Sequence, residues 1–504
     1  MTLTKYVGLL LILLLLPTFA FATEATTANS PQSLNLSHHW VGYLSLVLFS
    51  VAYILAMTEE ITDLRKSKPM VFAASLIWVF IGAVYVHNGM KEEVGVAFRS
   101  VLISYAELFL FIMVSMTYLN AMEDRSVFEK LRVWLLRKNF TYRQLFWITG
   151  FQSFFISSAC NNLTTALLMG SVIVALGKDS PRFVTLSCIN VVVATNAGGS
   201  FSPFGDITTL LVWQNGVVPF IDFFSLLIPA LVNLIVPASI MHFFIPKQRP
   251  ESVQESEPMK RGGWVIIGLF VMTIITSVCF ENLLGLPPAA GMMLGLTYLK
   301  FFSYYLQQFP AHHDDEDSTP KTVVSNNATK GDKPGYIDYF APMKVMNTAK
   351  YKEAMIDQPF DVFNKVANLE WDTLLFFYGV MIAVGGLSFI GYMTFASEFL
   401  YVGLDPTIAN ILVGIASAFV DNGTIMLEVL TMAPDISQGQ WLLVTLTAGV
   451  GGSMLAVGSA AGVGLMGQAK GIYTFTSHLK WTPAIVLGYL ASIATHFLIN
   501  GRYF

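Results

Sequence analysis

The chain has 504 residues, of which 54% are hydrophobic and only 12% charged, about half the ~25% charge of an ordinary soluble domain; that excludes a soluble enzyme. Against 33 Asp and Glu stand 29 Lys and Arg, a formal charge of −4, with no long basic block and no aromatic-interleaved basic patch, so the electrostatic footprint of nucleic-acid binding is missing. Apolar runs of membrane-crossing length, about 20 residues, recur along almost the whole chain and define an all-α polytopic membrane protein.

Residues 1–22 read as a signal peptide: Lys5, an apolar run over 7–16, Pro17 and the small-x-small end Ala20-Phe21-Ala22 predict cleavage after Ala22. The alternative is an uncleaved first transmembrane helix. With the mature N-terminus outside, residues 40–57 cross inward and deliver Arg65, Lys66 and Lys68, the positive-inside mark. Residues 69–86 return outward and 101–120 run inward. The basic segment 123–143 then reads as a cytoplasmic surface helix. Cys160, Cys188 and Cys279 all lie in apolar stretches, and read as small packing residues, with neither a disulfide frame nor a zinc site.

Residues 145–176 are apolar but interrupted by Ser157-Ser158-Ala159-Cys160-Asn161-Asn162, which predicts a hairpin that enters and leaves on one side. Residues 183–214 form a crossing broken at Asn196-Ala197-Gly198-Gly199-Ser200-Phe201-Ser202-Pro203-Phe204-Gly205-Asp206, too rich in glycine and proline to stay helical. Crossings over 223–245, 264–280 and 288–306 complete an N-terminal half, 23–306. Residues 307–368 are a cytoplasmic linker, whose tract His312-His313-Asp314-Asp315-Glu316-Asp317 reads as a solvated segment rather than a metal site.

The C-terminal half, 369–504, opens with a crossing over 371–390. A second hairpin follows over 407–432, interrupted by Asp421-Asn422-Gly423, then a second broken crossing over 441–466 around Gly451-Gly452-Ser453 and Gly458-Ser459-Ala460-Ala461-Gly462, and a last crossing over 482–499. The whole is about ten spanning helices with two re-entrant hairpins and two broken helices.

The two hairpin tips share the frame Ser-x-x-x-[Asn/Asp]-Asn-x-Thr, from Ser157 and from Ser417, and each is followed by Gly-Gly-Ser in a broken helix. Alternation of the crossings opens the first hairpin to the cytoplasm and the second to the outside, so the halves are inverted repeats. Matching interruptions in inverted halves point to a transporter's substrate site near the midplane. Close helix packing through small residues is the competing explanation, but packing alone does not need Asn161, Asn162, Asp206, Asp421 and Asn422 at the breaks.

An ionisable group deep in a bilayer costs at least about 2.5 kcal/mol, so each needs a reason. Asp206 and Asp421 sit at unwound backbone among hard oxygen donors suited to hard cations, and a carboxylate that holds either a proton or a cation can exchange them. Glu107 lies mid-crossing as a possible proton relay. Asp372 and Glu428 stand nearer an interface. Thr208, Thr209, Ser453 and Ser459 could complete an oxygen shell or bond back to their helices. His478 and His496 invite a pH-sensing role, but no partner is visible for either.

At these residues the sequence resembles the NhaD family of bacterial Na+/H+ antiporters, within an ion-transporter superfamily that also holds arsenite and dicarboxylate carriers. The resemblance is carried by residues 157–165, by 196–206, by Trp371-Asp372-Thr373-Leu374-Leu375-Phe376-Phe377-Tyr378-Gly379 and by 440–469. It implies exchange of Na+ or Li+ for protons across the bacterial inner membrane, no cofactor, and a homodimer. The family's polar residues fall on Ser157, Asn161, Asn162, Asn196, Asp206, Thr208, Thr209, Asp372, Ser417, Asp421, Asn422 and Ser453. One departure is Asp421-Asn422-Gly423-Thr424 where several members have a proline-containing Asp-Asn-Ile-Pro; glycine there is expected to keep the turn but loosen it.

The competing reading is an anion carrier of the same superfamily, its charge met by half-helix N-termini, but Asp206 and Asp421 would repel an anion. An intramembrane enzyme is less favoured, since His-Glu-x-x-His, Gly-x-Ser-x-Gly and Gly-x-Gly-Asp are absent. No phosphate loop for a primary pump occurs either.

Overall fold

The computed structural model describes residues 34–62, 64–137, 140–177, 179–250, 260–308 and 362–504. The proposed signal peptide, most of the linker and Lys178 lie outside the described residues. Helices dominate throughout. In chain order they are α1 (Trp40–Met57), α2 (Ser67–His87), α3 (Lys91–Asp124), α4 (Val127–Arg137), α5 (Tyr142–Ser157), α6 (Asn162–Leu176), α7 (Pro181–Gly199), α8 (Ile207–Gln214) and α9 (Leu227–His242). There follow α10 (Gly263–Leu284), α11 (Pro288–Gln308), α12 (Trp371–Phe389), α13 (Pro406–Ala416), α14 (Asn422–Met432), α15 (Gln438–Gly451), α16 (Ala460–Gln468) and α17 (Thr482–Asn500).

Seven helical segments among the described residues are long and apolar enough to cross a membrane. The others that the ten-crossing reading requires are α11 and the two broken helices, α7 with α8 and α15 with α16. Each interrupted apolar stretch is two short helices parted at the break, α5 with α6 and α13 with α14. The limbs α13 and α14 have 11 residues each, about 16 Å of helix, which is half of a ~30 Å hydrocarbon core.

Three boundaries differ from the sequence reading. Helix α3 starts at Lys91 and runs for 34 residues, because Glu92 and Glu93 in its first turn complement the helix dipole and extend it well before residue 101. The basic segment 123–143 is no single helix: it holds the end of α3, the whole of α4 and the start of α5, and Ser126, at φ 55°, turns the chain out of α3. Between α12 and the second hairpin, Gly391 at φ 101° starts a further helical stretch, Tyr392–Val402, which bends by 118° into α13. Its first residue is anchored, since the Tyr392 hydroxyl donates to the Ser37 carbonyl at 2.8 Å.

At the centre stand α7 and α15, buried on nearly every face, as a helix enclosed by other helices must be. Helix α5 packs on α7, and α13 packs on α15. Helix α2 packs on α12, where the Trp78 indole donates to the Ile382 carbonyl at 2.7 Å, and Tyr85, Ile81 and Leu387 fill a second, smaller core. Helices α10 and α11 form a close pair. Tyr118 of α3 fastens them, donating to the Gly295 carbonyl at 2.7 Å and accepting from Thr273 at 2.9 Å.

Candidate ion-exchange site

Each interruption in the helices leaves orphan N–H groups at the start of the next limb, and a polar side chain caps every one. Asn161 accepts from the Thr164 N–H at 2.7 Å and Asp421 from the Thr424 N–H at 3.3 Å. Asp206 accepts from the Ile207 N–H at 2.8 Å and Ser459 from the Gly462 N–H at 3.4 Å. The capping positions correspond between halves: Asn161 with Asp421 at the hairpin tips, and Asp206 with Ser459 in the broken helices. Each half therefore carries one carboxylate, on the broken helix in the first and on the hairpin tip in the second.

The contacts beneath the tips are duplicated as well. The Ser157 hydroxyl donates to the Thr195 carbonyl at 2.8 Å, and the Ser417 hydroxyl to the Ala448 carbonyl at 2.7 Å. These acceptors lie three residues before the corresponding glycines Gly198 and Gly451, where the backbones approach so closely that a Cβ would come within 2.0 Å of the Phe154 carbonyl oxygen and of the Gly414 carbonyl oxygen. Each serine thus satisfies a backbone carbonyl next to a helix break, in surroundings without water to do so.

The halves meet at Asp206. Its Oδ2 accepts from the Asn422 amide at 2.7 Å and from the Thr208 hydroxyl at 3.0 Å. Asp421 Oδ2 accepts from Thr424 alone, through its N–H and its hydroxyl, and Oδ1 accepts from none of the described residues. On the opposite side, Asn162 accepts from Ser157 at 2.7 Å and its amide faces Asn196 Oδ1 at 3.5 Å. Asn196 in turn donates to the Ser459 hydroxyl at 3.0 Å.

Asn161, Asn162, Asp206, Asp421, Asn422 and Ser459 line one cavity of about 140 Å3, which continues to Lys66, Glu370 and Thr373. At about 30 Å3 for each water in the liquid, it has room for a monovalent cation with part of its hydration shell.

The other expected site residues have different surroundings. Ser157, Ser417 and Thr209 hold carbonyls at the breaks; the Thr209 hydroxyl donates to Ser202 and Asp206 at 2.9 and 2.8 Å. Ser453 bonds back to Val450 at 2.7 Å. Asn196 reaches the cavity through Asn162 and Ser459. Glu107 is half-buried on α3, outside the cavity lining. Asp372, in the first turn of α12, accepts from the Ser67 hydroxyl, which ties α12 to the start of α2.

Both histidines have partners. His478 Nε2 lies 3.0 Å from the Ser453 carbonyl and Nδ1 2.7 Å from the Tyr473 hydroxyl; His496 Nε2 lies 3.1 Å from the Gly439 carbonyl and Nδ1 2.9 Å from the Asn500 amide. A carbonyl only accepts, so Nε2 carries a proton in each ring, and at His496 Nδ1 accepts from the Asn500 amide. These are satisfied core histidines, His496 bracing α15 and His478 the break that follows it. Residues not singled out in the sequence are Lys66, noticed only as a topological mark, Glu370 at the end of the linker, and Glu281 of α10, which accepts from the Trp213 indole of α8.

Gly423 is a point of close contact at the tip. It lies in the first turn of α14, where its N–H donates to Asn422 Oδ1 at 3.0 Å. An added Cβ would stand 3.0 Å from Ile207 Cγ2 and 3.3 Å from Asp421 Oδ2, so the missing side chain allows the second hairpin to close on α8. Gly423→Ala is expected to leave folding intact, because Ile207 can give by tenths of an ångström, and to shift the half-saturating Na+ concentration by about threefold, well under the tenfold equivalent of 1.4 kcal/mol. Asn422→Ala removes a donor to a carboxylate, typically about 1.5–3 kcal/mol, and is expected to raise that concentration at least about tenfold while expression stays near wild type. Equal loss of folded protein would reassign Asn422 to packing.

Half-buried carboxylates at paired helix breaks, within a duplicated all-α membrane fold, define a secondary transporter. Residues 53–300 and 358–449 match the citrate transporter family. The chain is 50% identical over 493 residues to the Na+/H+ antiporter NhaD of Halomonas elongata, covering 98% of this chain and 95% of that one. To the NhaD of Vibrio cholerae it is 48% identical, with 98% of each chain covered. It is 28% identical to sodium/proton antiporter 1 of Arabidopsis thaliana, over 96% of this chain and 77% of the plant protein. The chain belongs to the NhaD family of Na+/H+ antiporters.

Proposed function

We propose that the protein exports Na+, and Li+, in exchange for protons, with Asp206 and Asp421 as the exchange centre. The observation that carries this reading is the convergence of one carboxylate from each half on a single cavity, bridged by Asn422 at 2.7 Å from Asp206. Two carboxylates shielded from bulk water are expensive bare, and either a proton or a cation offsets the cost. Na+ arriving from the cavity displaces a proton from the shared oxygens; when the site faces the other side, proton binding releases Na+. Only compensated forms cross the barrier cheaply, and exchange is coupled for that reason.

Ser157, Asn161, Asn162, Asn196, Thr208, Thr209, Ser417, Asn422 and Ser453 support those carboxylates, Asn161, Asn162 and Asn422 from the cavity wall and the others from behind it. Glu107 and Asp372 lie outside that wall, and as relays they would act at its approaches. Positive-inside reasoning places Arg65, Lys66 and Lys68 in the cytoplasm, so the cavity faces inward in this conformation, the mature N-terminus is periplasmic and the membrane is the bacterial inner membrane. Each net charge moved inward gains about 2.3 kcal/mol per 100 mV, which drives Na+ outward when protons outnumber it. The two carboxylates disfavour the anion-carrier reading.

The test is proton movement in everted vesicles on addition of Na+, Li+ or K+ without ATP. Na+-dependent dissipation of a pH gradient is expected; citrate-coupled Na+ flux with no proton exchange would overturn the proposal.

A further inference from the structure

Asp206, Asp421 and Glu370 bring three carboxylates to the cavity lining, beside the side-chain amides of Asn161, Asn162 and Asn422. Carboxylate and amide oxygens gathered in one place are the ordinary ligands of a divalent ion such as Ca2+, and a cleft lined by one sign of charge concentrates the opposite sign. Exchange of Na+ or Li+ at a site of that composition needs something that turns divalent ions away.

Among the described residues the lining holds one basic side chain, Lys66, at the residue before α2. Its place is set by the neighbouring contact, in which the Ser67 hydroxyl donates to Asp372 in the first turn of α12. That tie seats Lys66 at the start of α12, where Glu370 and Thr373 also line the cavity. The ammonium lies over the Phe376 ring, 5.1 Å from its centroid, and Phe376 meets the cavity-lining Phe377 edge-on at 5.7 Å. Among the described residues Lys66 makes no hydrogen bond and no ion pair; Glu370 instead accepts from the Thr373 hydroxyl at 3.3 Å. An aromatic face holds a cation without carrying a net charge. The charge of Lys66 is therefore positioned but not cancelled.

Resting on the antiport reading above, we propose that Lys66 is a specificity-determining residue of the cavity, a tethered positive charge that keeps divalent cations from Asp206 and Asp421. The energy of an ion in the field of a fixed charge is proportional to the ion's own charge. Lys66 therefore penalises Ca2+ or Mg2+ twice as strongly as Na+ in free energy, and any factor by which it weakens Na+ binding is squared for a divalent ion. Na+ loses little and still meets two carboxylates. A divalent ion loses the advantage that the oxygen ligands would otherwise give it.

The test measures, in everted vesicles, the half-saturating Na+ concentration and the Ca2+ concentration that halves Na+-dependent proton flux. Lys66→Gln is expected to lower the first about threefold, the scale of one partly solvated charge interaction, and the second about ninefold, its square. Lys66→Arg keeps the charge and is expected to stay within about twofold of the parent in both. Arg65→Gln and Lys68→Gln remove the same cytoplasmic charge from side chains that are exposed and outside the lining, and are expected to move neither value by more than about twofold. Equal shifts for Na+ and Ca2+ in Lys66→Gln, no shift in either, or the same selective shift in Arg65→Gln would overturn the proposal. Monodisperse protein in detergent gives a readout apart from transport: Ca2+ is expected to raise the melting temperature of Lys66→Gln at lower concentrations than it does the parent's, and an unchanged response would also overturn the proposal. If the parent moved no protons on Na+ addition, the antiport reading itself would fail; an active parent whose Lys66→Gln variant discriminates as before would remove the role of Lys66 alone.

Discussion

Asp421→Asn and Asp206→Ser are each expected to abolish Na+-dependent proton movement while leaving a folded, membrane-inserted protein. The repeat itself supplies the control for folding. Asparagine already occupies the position that corresponds to Asp421, where Asn161 caps α6 at 2.7 Å, and serine occupies the counterpart of Asp206, where Ser459 caps α16. Each substitution therefore installs a cap that this fold already uses, with a cap difference of about 1 kcal/mol or less. What it removes is the exchangeable charge. At Asp206 two side-chain donors, Asn422 and Thr208, lose a charged acceptor, each bond worth about 1.5–3 kcal/mol. Proton flux from everted vesicles, normalised to extracted protein, makes the comparison. Exchange retained in both variants would shift the centre to Glu107 and Asp372.

Gly198→Ala and Gly451→Ala are expected to remove the folded protein altogether. In each case the new Cβ would stand 2.0 Å from a backbone carbonyl oxygen, of Phe154 or of Gly414. No rotamer relieves that overlap; the hairpin limb and broken helix must part, at a cost above the about 1–3 kcal/mol of ordinary overpacking, and the serine bonds on the same turn go with them. Gly82→Ala and Gly268→Ala provide the contrast, since a Cβ at either meets nothing within 4 Å, and alanine adds about 1 kcal/mol of helix propensity. Thermal loss of the monodisperse species in detergent separates the two pairs.

The hairpins and broken helices were legible because polar residues interrupt apolar runs, and the bilayer permits such backbone only inside a protein. Asp206, Asp421, Asn161, Asn162 and Asn422 were found for the same reason, and all five line the cavity. The division of labour among the hydroxyls was not legible. Ser157 and Ser459 look alike in sequence, yet one holds a carbonyl on a neighbouring helix and the other caps a limb at the cavity wall. Lys66 and Glu370 flank crossings, where a charge normally means only an interface. His478 and His496 needed their acceptors, Ser453 and Gly439, to be recognised as braces.

The glycine contacts at Phe154 and Gly414 have a mechanical consequence. Backbones that touch without intervening side chains, and are pinned by Ser157 and Ser417 beside them, have no compressible layer through which to slide. Interiors packed this densely transmit displacement rather than absorb it. A hairpin and its broken helix therefore travel as one stiff piece, carrying the ion in a cradle of fixed shape. The shear that exposes the cradle to alternate sides must fall on surfaces lined by side chains away from the glycine contacts and from the Asn422–Asp206 bond. Stiffness at the cargo then lets the same coordination shell be offered to both faces of the membrane.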